Sequence, residues 1–235
     1  RAVRTPSRAD DGVSITSQFD PGAGVFPRIL GNPAFESEVL IAYEAGIRSQ
    51  ATEQFSWDLA LFYHDYDKMT SQGLGAPFAE FFPAPVPPAV ILPATLANDG
   101  RAHGYGFELF ANYEVDPCWR LSGAYSYQQI STRNTAGAGD SPENQIYLQS
   151  TWDFWCDWQF DAIWRYVDSL PNQNVPSYNT IDLRLAWYPS CNMELAVVGR
   201  NLLEPSHLEF GFDEFTGTVS TEVQREVYGM VTVRY

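Results

Sequence analysis

Alternation of apolar and polar residues at period two, held for about ten residues at a time, constrains this chain more than any other feature. In "VLIAYEAGIR" Val39, Ile41, Tyr43, Ala45 and Ile47 share one face, while Glu38, Glu44 and Arg48 belong to the other. "FSWDLALFYHDY" repeats the arrangement with Phe55, Trp57, Leu59, Leu61 and Tyr63 against Ser56, Asp58 and His64. Further alternating segments lie around 105–113, 119–128, 145–154, 158–165, 180–187, 193–200 and 226–235. Helical periodicity is nearly absent. The pattern predicts about nine strands, most of them longer than the ~5–6 residues usual in soluble sheets. A tilted membrane-crossing strand needs about 9–11. None of the sixteen prolines falls inside a segment drawn in this way.

The connections carry a second regularity. "SQATEQ", "VDP", "WCD" and "YPSC" are tight, and between them lie long links at about 68–98, 131–144, 168–177 and 201–222. Short and long links alternate, as short periplasmic turns and long extracellular loops do in outer-membrane barrels. Trp57, Trp119, Trp155, Trp158 and Trp187 lie near the short-turn ends, and Tyr63, Tyr125, Tyr127 and Tyr166 near the long-loop ends. Two aromatic levels with aliphatic residues between them match girdles at two water–lipid interfaces. The fold expected is all-β, an antiparallel up-and-down transmembrane β-barrel segment. Residues 1–35 form an extracellular loop region entering it, and 36–235 carry the strands. Strand parity puts Tyr235 at the periplasmic rim, facing lipid. A soluble secreted β-sandwich, binding carbohydrate on exposed tryptophans, is the alternative from another class.

Composition narrows the function. The chain is 45% hydrophobic with a mean hydropathy of −0.25, and no run of 18 apolar residues exists to form a transmembrane helix. A formal net charge of −15, with Lys68 the single lysine, argues against nucleic acid, which demands a basic face. Cys118, Cys156 and Cys191 show no metal-ligand spacing and fall at predicted periplasmic turns. Those turns stand two strand spacings apart, roughly 10 Å, beyond the ~7 Å a disulfide allows, so free cysteines are expected. No catalytic triad, paired carboxylate or metal set emerges, and neither an enzyme nor a cofactor is expected. The first residue is Arg1 and no signal peptide is present, so the chain is expected to be the C-terminal part of something longer.

Particular strings then resemble the C-terminal half of TonB-dependent outer-membrane receptors. They are "RAVRTPSR" at 1–8, "NPAFESEVLIAYEAGIR" at 32–48, "NDGRAHGYGFEL" at 98–109, "WRLSGAYSY" at 119–127, "RYVDSLPNQNVPSYNTIDLRLAW" at 165–187 and "VVGRNLLEPSH" at 197–207. The closing strand to Tyr235 resembles the aromatic signature read by the barrel-assembly machinery. This resemblance implies energy-coupled uptake of a scarce nutrient, such as a ferric siderophore, across the outer membrane of a Gram-negative-type bacterium. The barrel would be of the 22-stranded type, with an N-terminal plug and a TonB-recruiting segment that are not in this sequence. A passive porin-type channel is the runner-up. Some haem receptors of the family carry a His between an arginine-proline and an asparagine-proline motif. Here "RTP" and "NP" flank 7–31 without one, which speaks against haem.

Candidate site residues fall into three sets. Glu44, Arg48, Glu108, Arg120, Asp182, Arg184, Glu194, Arg200 and Glu226 form a lumen-facing polar set. They either hold a plug or line a substrate path, or are ordinary hydrophilic lumen paired across strands. Asp182, Arg184 and Arg200 are the expected pairing cluster. Phe78, Phe81, Phe82, His207, Phe210, Phe212 and Phe215 are extracellular-loop ligand candidates. Tyr235 is the candidate assembly signal. Gly46, Gly104 and Gly106 are expected to serve strand curvature or close backbone approach.

Overall fold

The computed structural model describes residues 1–16, 24–81, 88–135, 141–211 and 219–234, so Phe82, Phe212, Phe215 and Tyr235 lie outside the described residues. The chain opens with β1 (Ala2–Arg4), helix α1 (Arg8–Gly12), β2 (Ser14–Thr16) and β3 (Val25–Leu30). Then come β4 (Glu38–Gln50), β5 (Phe55–Leu74), the short β6 (Phe78–Glu80), β7 (Ala89–Asp116) and β8 (Trp119–Arg133). They are followed by β9 (Asn144–Phe154), β10 (Trp158–Val167), β11 (Tyr178–Ser190), β12 (Met193–Arg200), the short β13 (Ser206–Leu208) and β14 (Glu222–Gln224), and β15 (Glu226–Val233). Each alternating segment of the sequence corresponds to one long strand: β4, β5, β7 to β12 and β15. They stand in one 13-stranded sheet in the order β1-β4-β5-β7-β8-β9-β10-β11-β12-β15, with β3 and β6 paired to β7 and β2 paired to β3. Among the described residues this order does not close on itself. Among the described residues no helix is long and apolar enough to cross a membrane.

Two strands run further than their alternation foretells. β5 continues to Leu74 and β7 begins at Ala89, so ordered strand occupies much of the 68–98 link. Pro93 therefore lies inside β7, as Pro27 does inside β3 and Pro189 inside β11. A proline withdraws one donor from a ladder but keeps its acceptor. The carbonyl of Pro93 accepts from the Gly75 N–H at 2.9 Å. Pro189 sits where the β11–β12 register shifts between Trp187 and Ser190, a place where a missing N–H is tolerated.

The chain forms two compact units. One comprises Arg1–Tyr43, Tyr63–Gly104 and Ile130–Ala138. Here β1 pairs with β4, β3 lies parallel to β7 from Val25↔Val90 to Leu30↔Thr95, and β6 pairs antiparallel with the same end of β7. Ile91, 1% exposed, is the centre of its small core, with Ala89, Leu96 and Phe35 also buried. Arg28 ties β2 to β6, donating from Nε to Thr16 Oγ1 at 2.8 Å and pairing with Glu80. α1 begins in a capping box between Ser7 and Asp10. The Ser7 N–H holds the buried Asp10 carboxyl below its ordinary range against the cost of burial, with the Ser7 hydroxyl and Arg4 adding to the effect.

The other unit comprises Glu44–Phe62, Tyr105–Gln129 and Gly139–Tyr235. It holds the antiparallel run β8-β9-β10-β11-β12-β15, in register from Trp119↔Trp152 to Met193↔Val233. One face of that run is apolar and exposed: Leu148, Trp152, Leu185, Val197 (58%), Val227 (67%) and Val231 belong to it. Such a face is tolerable only against lipid or another apolar surface. The tight turns at 117–118, 155–157 and 191–192 carry Cys118, Cys156 and Cys191, all free and exposed. Near them Trp152, Phe154, Trp158 and Trp187 form a chain of ring contacts at 5.2–6.2 Å. The Trp187 indole donates to Asp157 at 2.9 Å, keeping a polar handle at the turn. Gly106 is required by closeness: a Cβ there would stand 2.0 Å from the Tyr127 carbonyl and 2.6 Å from the Phe62 ring.

Candidate functional site

Alternation sends Asp161 and Arg165 of β10, Thr180, Asp182 and Arg184 of β11, and Arg200 of β12 to the face opposite the apolar one. There they line an open cavity of about 1010 Å³, joined by His207 and by residues of β14 and β15. The charges are organised by register. Asp161 stands directly across from Arg184, and Arg200 across from Glu226. Arg184 pairs with Asp161 at 2.6 Å and also with Glu194, and donates to Gln159 at 2.8 Å and Tyr188 at 3.2 Å. Arg165 pairs with Asp182 at 2.7 Å, and Arg200 with Glu226 at 3.4 Å.

These pairings correct the expected cluster of Asp182, Arg184 and Arg200. Asp182 and Arg184 are neighbours along one strand, and each finds a nearer opposite charge on an adjacent strand. Asp161 and Arg165 are the members that sequence reasoning left out. They share the parity of the charged positions, so alternation alone could have found them.

The remaining polar candidates are spread out. Arg48 pairs with Asp58, and Arg120 with Asp153 at 3.0 Å. Glu44 and Glu108 are exposed, and none of these four lines the cavity. Phe78 and Phe81 are exposed at and beside β6, and Phe210 is exposed beyond β13. His207, expected on an open loop, is instead buried at 7% exposure and stacked on Tyr178 at 4.2 Å. At the end of β10 the carboxyl of Asp168 is held below its ordinary range, first by the Asn144 amide at 2.9 Å. Burial opposes that shift, and the Ser169 N–H and the Tyr166 hydroxyl reinforce it. Among the described residues no cluster of three or more His, Cys, Asp or Glu side chains is placed to hold a metal.

A sheet of long antiparallel strands, apolar and aromatic on one face and ion-paired on the other, defines the wall of an outer-membrane β-barrel. The family of TonB dependent receptor-like β-barrels matches this chain over residues 1–202, and the chain belongs to that family. Its place is the outer membrane of Gram-negative bacteria. The chain is similar to a mutant of the ferric enterobactin receptor PfeA from Pseudomonas aeruginosa, with a TM-score of 0.73 and 14% identity over 99% of this chain and 36% of that one. It is similar to the copper transporter OprC, with a TM-score of 0.69 and 13% identity over 99% of this chain and 35% of that one. A third is the ferric-catecholate import receptor Fiu from Escherichia coli K12, with a TM-score of 0.65 and 15% identity over 87% of this chain and 29% of that one. At such identities the likeness is one of fold. The chain spans about a third of the length of these structures. Among curated proteins none matches.

Proposed function

We propose that this chain is barrel wall of a receptor for energy-coupled uptake of a scarce nutrient, with a ferric siderophore as cargo. The observation that carries the reading is the family match over residues 1–202. Siderophore receptors among the similar folds, PirA from Acinetobacter baumannii with a TM-score of 0.67 among them, support the choice of cargo. In this reading the apolar face meets lipid, and the ion-paired face meets a plug and the passing cargo. Phe78, Phe81, Phe82, His207, Phe210, Phe212 and Phe215 contribute to cargo capture from the outer side. TonB and the plug act through the rest of the receptor, and Tyr235 is read by the barrel-assembly machinery. The protein works by binding and passage rather than as an enzyme.

Uptake of a radiolabelled ferric siderophore by iron-starved cells tests this reading, comparing cells with and without the gene for the full-length protein. Uptake that requires the gene and collapses when the inner-membrane proton gradient is discharged is expected. Gene-dependent uptake indifferent to the gradient would instead establish a passive channel. No gene-dependent uptake of any siderophore would remove that cargo.

A further inference from the structure

Three buried polar atoms without partners line one region of the cavity wall. Among the described residues Thr180 Oγ1, Asn201 Oδ1 and His207 Nδ1 make no hydrogen bond, in residues 6%, 3% and 7% exposed. They are neighbours by construction. Thr180 follows Tyr178 at the next position on the same face of β11, and His207 stacks on Tyr178 at 4.2 Å. The Asn201 backbone N–H donates to Asp182 at 2.9 Å, one further position along that face. Its side-chain amide donates to the Val223 carbonyl at 3.1 Å, and Val223 is the residue paired with His207 across β13–β14. His207 Nε2 stands 3.4 Å from the Glu209 carboxylate, and with the proton of a neutral ring placed there Nδ1 is an acceptor.

β13 and β14 contribute contacts to this patch, His207 on Tyr178 and the Val223 carbonyl on the Asn201 amide. β13 and β14 form a separate two-stranded sheet of three residue pairs, Ser206↔Gln224, His207↔Val223 and Leu208↔Glu222. So short a ladder is marginal alone. Its closure leaves polar groups buried and unbonded, which opposes it further. The wall charges beside them pair among themselves, Arg165 with Asp182, Arg184 with Asp161 and Arg200 with Glu226, while Glu209, Glu222 and Arg225 line the same cavity from β14 and the flanks of the two short strands.

We propose that the β13–β14 ladder is a strap that closes over a neutral hydrogen-bonding subsite of Thr180, Asn201 and His207, and that this subsite takes hydroxyl or amide N–H groups of a small solute. Two bare acceptors and one hydroxyl call for a donor-bearing group, and the charges of Asp182 and Arg165 beside them are already paired. The inference deepens the uptake reading by describing the periphery of the cargo. Strap closure is read without transport, so a receptor of another cargo would still display it.

Deuterium exchange of the full-length protein in detergent tests the proposal, with N-acetylglucosamine as a neutral probe carrying both hydroxyls and an amide N–H. Peptides covering 206–208 and 222–224 are expected to exchange far faster than those of the β12–β15 ladder, and to slow several-fold when the probe is added. Thr180→Val removes one unbonded group, so it should slow strap exchange about tenfold without the probe and weaken the response to it. Thr180→Ser, which keeps the hydroxyl, should behave as the wild type, and unchanged β12–β15 exchange certifies folding in both. Strap exchange that is equal or faster in Thr180→Val would overturn the proposal. So would a closed strap with ordered waters bonded to all three atoms, or no response of the wild type to the probe.

Discussion

Replacing Arg184 by methionine should destabilise the barrel wall more than any other single change on its polar face. The guanidinium stands between Asp161 and Glu194, whose side chains are 15% and 10% exposed. Methionine fills similar space but leaves two carboxylates poorly solvated and unopposed. Removing one partner of a buried pair costs about 3–5 kcal/mol. Here the open cavity lends water to one side, so the low end applies, about 3 kcal/mol. The cost arises from stranded charge, not from lost volume, and that makes it reversible by design. Adding Asp161→Asn and Glu194→Gln to Arg184→Met neutralises both stranded groups and should restore most of the loss. Urea unfolding of the full-length protein in detergent, followed by tryptophan fluorescence, supplies the assay. Trp158 and Trp187 stack at 6.1 Å on the strands that carry Asp161 and Arg184, and so report locally. A single variant as stable as wild type, or a triple variant as unstable as the single, would refute the argument.

Three further outcomes are expected. Val197→Arg puts a cation on the lipid face at a cost of about 2–4 kcal/mol near midplane, and should sharply reduce heat-modifiable barrel in outer-membrane fractions; normal assembly would contradict the face assignment. Gly106→Ala must push against the Tyr127 carbonyl and Phe62, costing about 1–3 kcal/mol, seen as a lowered urea midpoint. Asp10 is held below its unfolded pKa, so its support of α1 is present above about pH 4 and is lost as pH falls through the lowered folded value. Amide exchange over 7–12 should therefore quicken on acidification more than intrinsic rates explain, and Asp10→Asn should abolish that excess.

The long strands were legible because each alternates for enough residues to exceed chance, and because the turns between them are short. The sites were less so. Arg184 reads as one more charge on a hydrophilic face, and only the register, set by the connections at 168–177 and 191–192, reveals which carboxylates meet it. Pro93 reads as a strand breaker, yet β7 passes through it, since the lost donor costs little where the carbonyl still bonds to Gly75. β3 and β6 are too short to alternate visibly and exist by leaning on β7. Nothing in "LEPSH" marks His207 as buried, because its burial comes from Tyr178, twenty-nine positions earlier in the chain.

The parallel seating of β3 on β7 has a consequence for how the protein comes together. Hairpins of a meander zip from their turns and need only local chain, so they form early and cheaply. β3 cannot seat until Val90 to Thr95 exist and are themselves in place, after a long stretch of intervening chain has been ordered. It is therefore among the last pieces to settle, and its loss would leave the antiparallel ladder standing. β3 answers to β7 and the short β2, while β5 and the strands from β7 to β12 each answer to two long neighbours at once.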